Sequence, residues 1–350
     1  MSHITTASFE HEAPAFVGAE LDRLYGTRYS SLRHFRVAGT AAAASTYVAR
    51  TDGAVTTVFL YARRRGVVRV LNEGIRVEAG VAADFAADIF HRYPTVSAIH
   101  WHCVDTSAPV TGYPSQRLAC AEDTVLPLPA SAALYLASLG ASTRANLKSR
   151  VNKLKREFPT FVFGVAERAD VDPADVRHII HLSRLRMQGK GKTSTIDAAE
   201  EERIVQAVAE CGYVTTVHIG GQLCAGVVLY RHGSNFSARV LAHASAYDRH
   251  RLGFVCAFLS ISACAATPGS ALFYFGWGRY DYKQHLGGRR RELATLVIYR
   301  SRWHALLQAP LAWSVRLGGL AFRWRHRALE LQEWWRAWRQ RRRPADRSLA

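Results

Sequence analysis

Between Tyr247 and Phe254 the chain reads YDRHRLGF, and the apolar run from Val255 to Thr267 that follows reads as a buried helix. The first turn of a helix leaves backbone N–H groups without partners and carries the positive end of the helix dipole, so it suits a diphosphate. Arg249 and Arg251 could each add charge-assisted hydrogen bonds of roughly 1.5 to 3 kcal/mol. Gly253 would let a phosphate approach the backbone, with Phe254 beside it. The plainer alternative is a solvated helix cap that holds nothing. Downstream, in GWGRYDYKQHLGG (Gly276 to Gly288), Tyr280, Tyr282 and Lys283 supply two phenols and an ammonium; upstream, His243 and Asp248 supply an imidazole and a carboxylate. Such groups can hold or move a proton. For the tyrosines the alternative is aromatic packing over the glycines of a turn.

These residues need elements to place them. Tyr213 to Ile219, a Gly220-Gly221 turn, Leu223 to Arg231, a turn at 232–235 and Phe236 to His243 alternate as an antiparallel meander. The apolar helix follows, then a strand from Ala271 to Gly276, an aromatic loop, and a last strand from Leu293 to Arg300. Before the meander, Leu147, Val151, Leu154 and Phe158 recur at helical spacing, and Arg144, Lys148, Arg150, Lys153, Lys155 and Arg156 make the other faces basic. A strand from Phe161 to Glu167, a helix opening at Asp172-Pro173 and a helix from Asp197 to Cys211 complete a lobe spanning 131–301, with Ser131 as a helix cap. The first lobe, 1–130, opens on a polar, irregular stretch. It continues with a hairpin (Val55–Tyr61, Val67–Leu71), a helix from Ala82 to His91 and a strand from Val96 to Cys103. Tyr113-Pro114 and Leu126-Pro127-Leu128-Pro129 interrupt regular structure, which places the linker there.

The chain has 350 residues and a net charge of +18. From 302 onward lies a basic, Trp-rich extension: between Ser301 and Ala350 there are 11 arginines against 3 acids. Leu317, Leu320, Trp324, Ala328, Leu331, Trp335 and Trp338 fall on one helical face, so 311–343 predicts an amphipathic helix that lies on an anionic membrane surface or packs on protein. RNA is a weaker partner for it, and no DNA is expected. Six scattered cysteines without CxxC spacing point to reduced thiols and the cytoplasm. The N-terminus has neither a basic nor an apolar signal region, and no apolar run reaches the ~20 residues a membrane span needs.

Two motifs fail on inspection. Gly189-Lys190-Gly191-Lys192-Thr193 ends like a phosphate loop, but the first glycine of that motif would fall at Arg186 and the segment follows a helix. A basic loop near an acceptor cleft is what remains. His100-Trp101-His102-Cys103 puts two imidazoles on one strand face, yet no second ligand pair stands at zinc spacing, so no metal is expected.

Three antiparallel strands, a charged loop with glycine, an apolar helix and a further strand follow the order of a GNAT acyl-CoA site. The segment Gly276 to Gly288, with Tyr247-Asp248 and Gly253, resembles the CelD/BcsL-like branch of that superfamily, in which a strand ending in a glycine pair leads into a Tyr-Lys motif. Leu136 to Pro159 is similar to the Arg-rich helix with which that domain begins. The resemblance spans about 131–301 and implies an α+β fold with a central, mostly antiparallel sheet flanked by helices, related to that of the Fem peptidoglycan transferases. The first lobe would be a candidate degenerate copy.

The activity implied is transfer of an acyl group from acetyl-CoA or another acyl-CoA to an amine or hydroxyl acceptor, in exopolysaccharide, cellulose or cell-envelope synthesis. Arg249, Arg251, Gly253 and Phe254 would hold the donor, although Phe254 stands where a small residue is usual. Tyr280 or Tyr282 would protonate the departing sulfur, Lys283 would meet a phosphate or an anionic acceptor, and Asp248 or His243 would take the acceptor's proton. A silent GNAT-like scaffold recruited to the inner membrane by 311–343, and an aminoacyl-tRNA-dependent transferase, are the alternatives.

Overall fold

The computed structural model describes residues 3–37, 39–106, 110–308, 313, 315–319, 321 and 322. Most of the amphipathic helix expected over 311–343 therefore lies outside the described residues. From the N-terminus the elements are β1 (Ile4–Phe9), α1 (Val17–Leu24), α2 (Leu32–Val37), β2 (Ser45–Thr51), β3 (Ala54–Arg64), β4 (Val67–Val70), α3 (Ala79–Arg92), β5 (Ala98–Val104), β6 (Ser115–Pro127) and α4 (Ala132–Ser138). Then come α5 (Ala141–Glu157), β7 (Val162–Glu167), α6 (Pro173–Gln188), α7 (Ala198–Cys211), β8 (Gly212–Ile219), β9 (Gln222–His232), β10 (Asn235–His243), α8 (Leu252–Ala266), β11 (Leu272–Tyr274), α9 (Asp281–His285), β12 (Arg289–Tyr299) and α10 (Arg302–Leu307). The fold is α+β with mostly antiparallel strands, as expected.

The chain divides into two compact units, each built from two stretches of sequence: Met1–Val58 with Glu122–Arg291, and Phe59–Ala121 with Glu292–Ala350. In the first unit, β7, β8, β9 and β10 form the antiparallel meander. β11 pairs parallel to β10 over only three residues, Asn235–Ser237 against Leu272–Tyr274, and antiparallel to the end of β6. Both faces of the meander are covered, so β8 and β9 are buried almost without alternation. On one face Val217, Val227 and Phe236 pack with Val255, Ile261 and Cys264 of α8, and with Leu147 and Leu154 of α5. On the other, Val214, Val228 and Val240 meet Val176 and Ile180 of α6 and Ile204 of α7.

Local chemistry sets the helix starts. Asp172 accepts from the Ala174 N–H at 2.8 Å ahead of Pro173, Asp197 from Glu200 at 2.7 Å, and Ser131 from Leu134 at 3.1 Å. α8 is largely apolar because it is buried, and its two hydroxyls are satisfied: Ser260 Oγ donates to the Cys256 carbonyl at 2.7 Å and meets Thr215 Oγ1 at 2.6 Å, and Ser262 Oγ donates to the Phe258 carbonyl at 2.9 Å.

Two sequence expectations differ from the structure. The N-terminal stretch read as irregular contains β1 and β2, which pair antiparallel over six residues, and two short helices. β1 is exposed or half-buried throughout and β2 buries five residues in a row, so neither shows the alternating strand period. The prolines read as a linker instead bracket β6, which runs from Ser115 to Pro127; proline is tolerated at the ends of a strand, where no ladder hydrogen bond is lost.

In the second unit, β3 and β4 form the expected hairpin, β4 pairs parallel to β5, and β5 pairs antiparallel to β12. Phe59, Phe85 and Trp101 make its aromatic core, with ring centroids 5.2 to 6.1 Å apart. Among the described residues no helix is long and apolar enough to cross a membrane.

Candidate active site

Beyond Ser237 and Tyr274 the two parallel strands part, and the edge of β10 is left without a strand partner. A cleft of about 470 Å³ opens there. Four consecutive β10 residues, Ala238 to Leu241, line it. Side chains alternate along a strand, so four in a row means that the cleft follows the strand's backbone edge. A bulge between Ala238 and Val240 sits at the same place, and the Arg239 guanidinium is tied away to Glu200 at 2.6 Å.

The cleft brings together six of the nine site residues read from the sequence: His243 at the end of β10, Gly253 and Phe254 in the first turn of α8, and Tyr280, Tyr282 and Lys283 after β11. Asp248 joins them indirectly, because His243 Nε2–H donates to Asp248 Oδ1 at 2.8 Å. Arg249 and Arg251 are exposed on the 3-10 turn before α8 and do not line the cleft. Arg249 Nε donates to His250 Nε2 at 2.8 Å, and His250 Nδ1 faces Glu157 of α5 at 3.4 Å. Arg251 takes a left-handed backbone with φ of 51° as the residue capping α8.

Gly253 has a reason that the sequence did not disclose. A Cβ there would fall 2.5 Å from His243 Nδ1, so the glycine makes room for the imidazole. That Nδ1 is buried and has no hydrogen-bond partner. Burial holds the His243 pKa below its ordinary value, against the opposing pull of Asp248. The result is a neutral imidazole oriented by a carboxylate that is itself 68% exposed.

Lys283 is 2% exposed, and its ammonium donates to three consecutive carbonyls: Gly276 at 2.8 Å, and Trp277 and Gly278 at 2.9 Å. All three protons are therefore spent on fastening the glycine loop, whose Gly276 and Gly278 have φ of 74° and 91°. Burial lowers the Lys283 pKa to about 8, with Asp123 and Glu122 acting against it. Tyr282 opens the short helix α9 with its ring 6.1 Å from that of Tyr280 and 6.4 Å from Phe275. Burial pushes its phenol up to about 12, so it keeps its proton at neutral pH and can donate a hydrogen bond. Tyr280 is 60% exposed.

Lys190 belongs to the basic loop that the sequence places near an acceptor cleft. Arg186, at the end of α6, was not foreseen, nor was Trp277, which donates from Nε1 to the Tyr29 hydroxyl at 2.6 Å. Ser183, Arg186, Met187 and Lys190 lie on one helical face by their spacing, and that stripe was the available signal. Neither Arg186 nor Lys190 has an acid partner among the described residues. The charge of Arg186 is the first cause of a lowered Lys190 pKa, as expected of two cations waiting for an anion.

Residues 141–284 match the family model described as an acetyltransferase (GNAT) domain. Among solved structures, FemX is similar at 10% identity and a TM-score of 0.59, covering 86% of this chain and 99% of its own. L-PGS from Bacillus licheniformis is similar at 12% identity and a TM-score of 0.42, covering 75% of this chain and 86% of its own. A tandem GNAT protein from the clavulanic acid biosynthesis pathway is similar at 13% identity and a TM-score of 0.38, covering 84% and 98%. No curated protein matched in sequence. The likeness to FemX is one of fold, and residues 141–284 match the acetyltransferase (GNAT) domain model.

Proposed function

We propose that the cleft beside β10 takes an acyl-CoA and passes its acyl group directly to an amine or hydroxyl acceptor. The observation that carries this reading is a continuous lining from the first turn of α8, along the free edge of β10, to Tyr282. The diphosphate would meet the first turn of α8 and the cations Arg186 and Lys190, with Arg249 and Arg251 outside. The unpaired backbone of β10 offers donors and acceptors to the amide-bearing arm, as a strand edge does to an added strand. The thioester would then lie near Tyr282, whose phenol donates to the departing sulfur. His243, held by Asp248 through Nε2–H, takes the acceptor's proton through a water once a small turn of the ring opens its buried Nδ1. Alignment of the two reactants supplies most of the rate. Lys283 shapes the loop that carries the tyrosine.

The test is binding of acetyl-CoA and longer acyl-CoA esters, read as a rise in Tm and by calorimetry, in the full chain and in Arg186→Ala. No stabilisation by any acyl-CoA would overturn the reading. An exopolysaccharide or envelope acceptor rests on the CelD-like resemblance, and contact with the inner membrane rests on 311–343.

A second donor, an aminoacyl-tRNA, is favoured by the FemX-like fold over 86% of the chain and by the basic faces of α5. Turnover of aminoacyl-tRNA in the absence of any CoA ester would select it.

A further inference from the structure

The second unit holds a group of side chains that the acyl-transfer reading does not use. Consecutive strand residues normally point to opposite faces. His102 and Cys103 do not obey this rule, because β5 bulges: Trp101 stands opposite Leu296 and Val104 opposite Ala294, so two residues of β5 face the single Thr295 of β12. Cys103 accommodates the bulge with a φ of 52°, a left-handed backbone that a buried non-glycine strand residue rarely adopts. The strain turns the imidazole and the thiol toward the same place, where β6 supplies Cys120.

One ligand atom from each of His102, Cys103 and Cys120 lies within 4.8 Å of the others. The two Sγ atoms are 3.6 Å apart. Two thiolates bound to one tetrahedral zinc at the usual bond length would be separated by about 3.8 Å. Two thiols held this close are donors that such an ion binds as thiolates. Thr295 Oγ1 also lies 3.2 Å from His102 Nδ1 and steadies the ring.

We propose that His102, Cys103 and Cys120 form a binding site for a thiophilic divalent cation of the zinc class, with water in the fourth position. Two thiolates and an imidazole are a donor set suited to such an ion and unsuited to magnesium or calcium. The sequence concealed the site because the third ligand stands 17 residues beyond Cys103, in another strand. Bound there, the ion would fasten β5 to β6 across the bulge and offset its strain.

The test uses the full-length protein, stripped by chelator under reductant and titrated with Co²⁺. The expected result is a thiolate-to-cobalt charge-transfer band with tetrahedral visible bands, saturating at one equivalent and displaced by Zn²⁺. Cys120→Ser should weaken binding about tenfold or more and reduce the charge-transfer band, and His102→Asn should weaken binding while keeping that band. Cys256→Ser, in the core of the first unit, should change neither. If Cys120→Ser fails to fold, protection of Cys103 and Cys120 from alkylation by Zn²⁺ in the unaltered protein decides the question. Absence of the cobalt bands, bands unaltered in Cys120→Ser, or a Cys103–Cys120 disulfide recovered from reductant-treated protein would overturn the assignment.

Discussion

His243 Nδ1 packs against Gly253 so closely that a single methyl group on the glycine would lie 2.5 Å from it. Gly253→Ala must therefore push the imidazole off Asp248. A misplacement of about 1 Å in a reacting group costs on the order of 100-fold in rate, and overpacking of a buried position costs roughly 1 to 3 kcal/mol of stability. Turnover and denaturant unfolding of this variant separate the two effects. Wild-type turnover in a folded Gly253→Ala protein would remove His243 from the chemistry.

The pH profile follows from the same imidazole. Burial keeps His243 below its ordinary pKa, so a rate that uses the neutral ring holds below pH ~6.5 and falls only as the pH drops through the lowered value. Asp248→Asn removes the charge that opposes burial, and the acid limb should move further down. For folding, the unfolded chain takes up this proton first. The residue therefore removes stability as the pH falls below about 6.5, which a series of melts on the wild type and His243→Gln would register as a difference confined to acid pH.

Lys283→Met would leave the carbonyls of Gly276, Trp277 and Gly278 without their common, buried donor. A loss of about 3 kcal/mol or more is expected in urea unfolding. Tyr282 should become more accessible to solvent, which fluorescence quenching can follow. A stable variant with low activity would instead give the ammonium a direct part in the reaction.

The cations of the cleft can be ranked. Arg186→Ala and Lys190→Ala should each raise the Kd for an acyl-CoA by about 10- to 100-fold, the equivalent of a charge-assisted hydrogen bond. Arg249→Ala and Arg251→Ala should change it by less than about fivefold, as expected of exposed charges. Isothermal titration with acetyl-CoA checks all four, and the opposite ranking would move the donor's diphosphate to the outer turn.

Much of the first unit was legible because its signals are local. Asp172-Pro173 and Asp197 announce their helices through side-chain caps, and β8 to β10 announce themselves by apolar runs cut by Gly220-Gly221 and Gly233. The helix α8 could be recognised from its composition alone. What stayed hidden depends on long-range packing. The role of Gly253 is set by a ring ten positions earlier, and that of Lys283 by a loop folding back on it. β1 has no buried residue and β2 buries Ser45 to Ala49 in an unbroken run, so pairing rather than an alternating period defines them. The His102, Cys103 and Cys120 group needed a bulge that no spacing rule encodes.

The assembly of each unit from two separated stretches constrains its biosynthesis. Asn235 Nδ2 reaches the Tyr25 carbonyl at 3.4 Å, and Trp277 reaches Tyr29, so the first unit waits for about 200 further residues before its N-terminal elements find their partners. A ribosome emerging past residue 130 has released only part of each unit. Fragments cut there for expression should aggregate, and chains with 59–121 deleted, residues 58 and 122 joined by a short linker and the end set at Arg291, should yield the first unit in isolation.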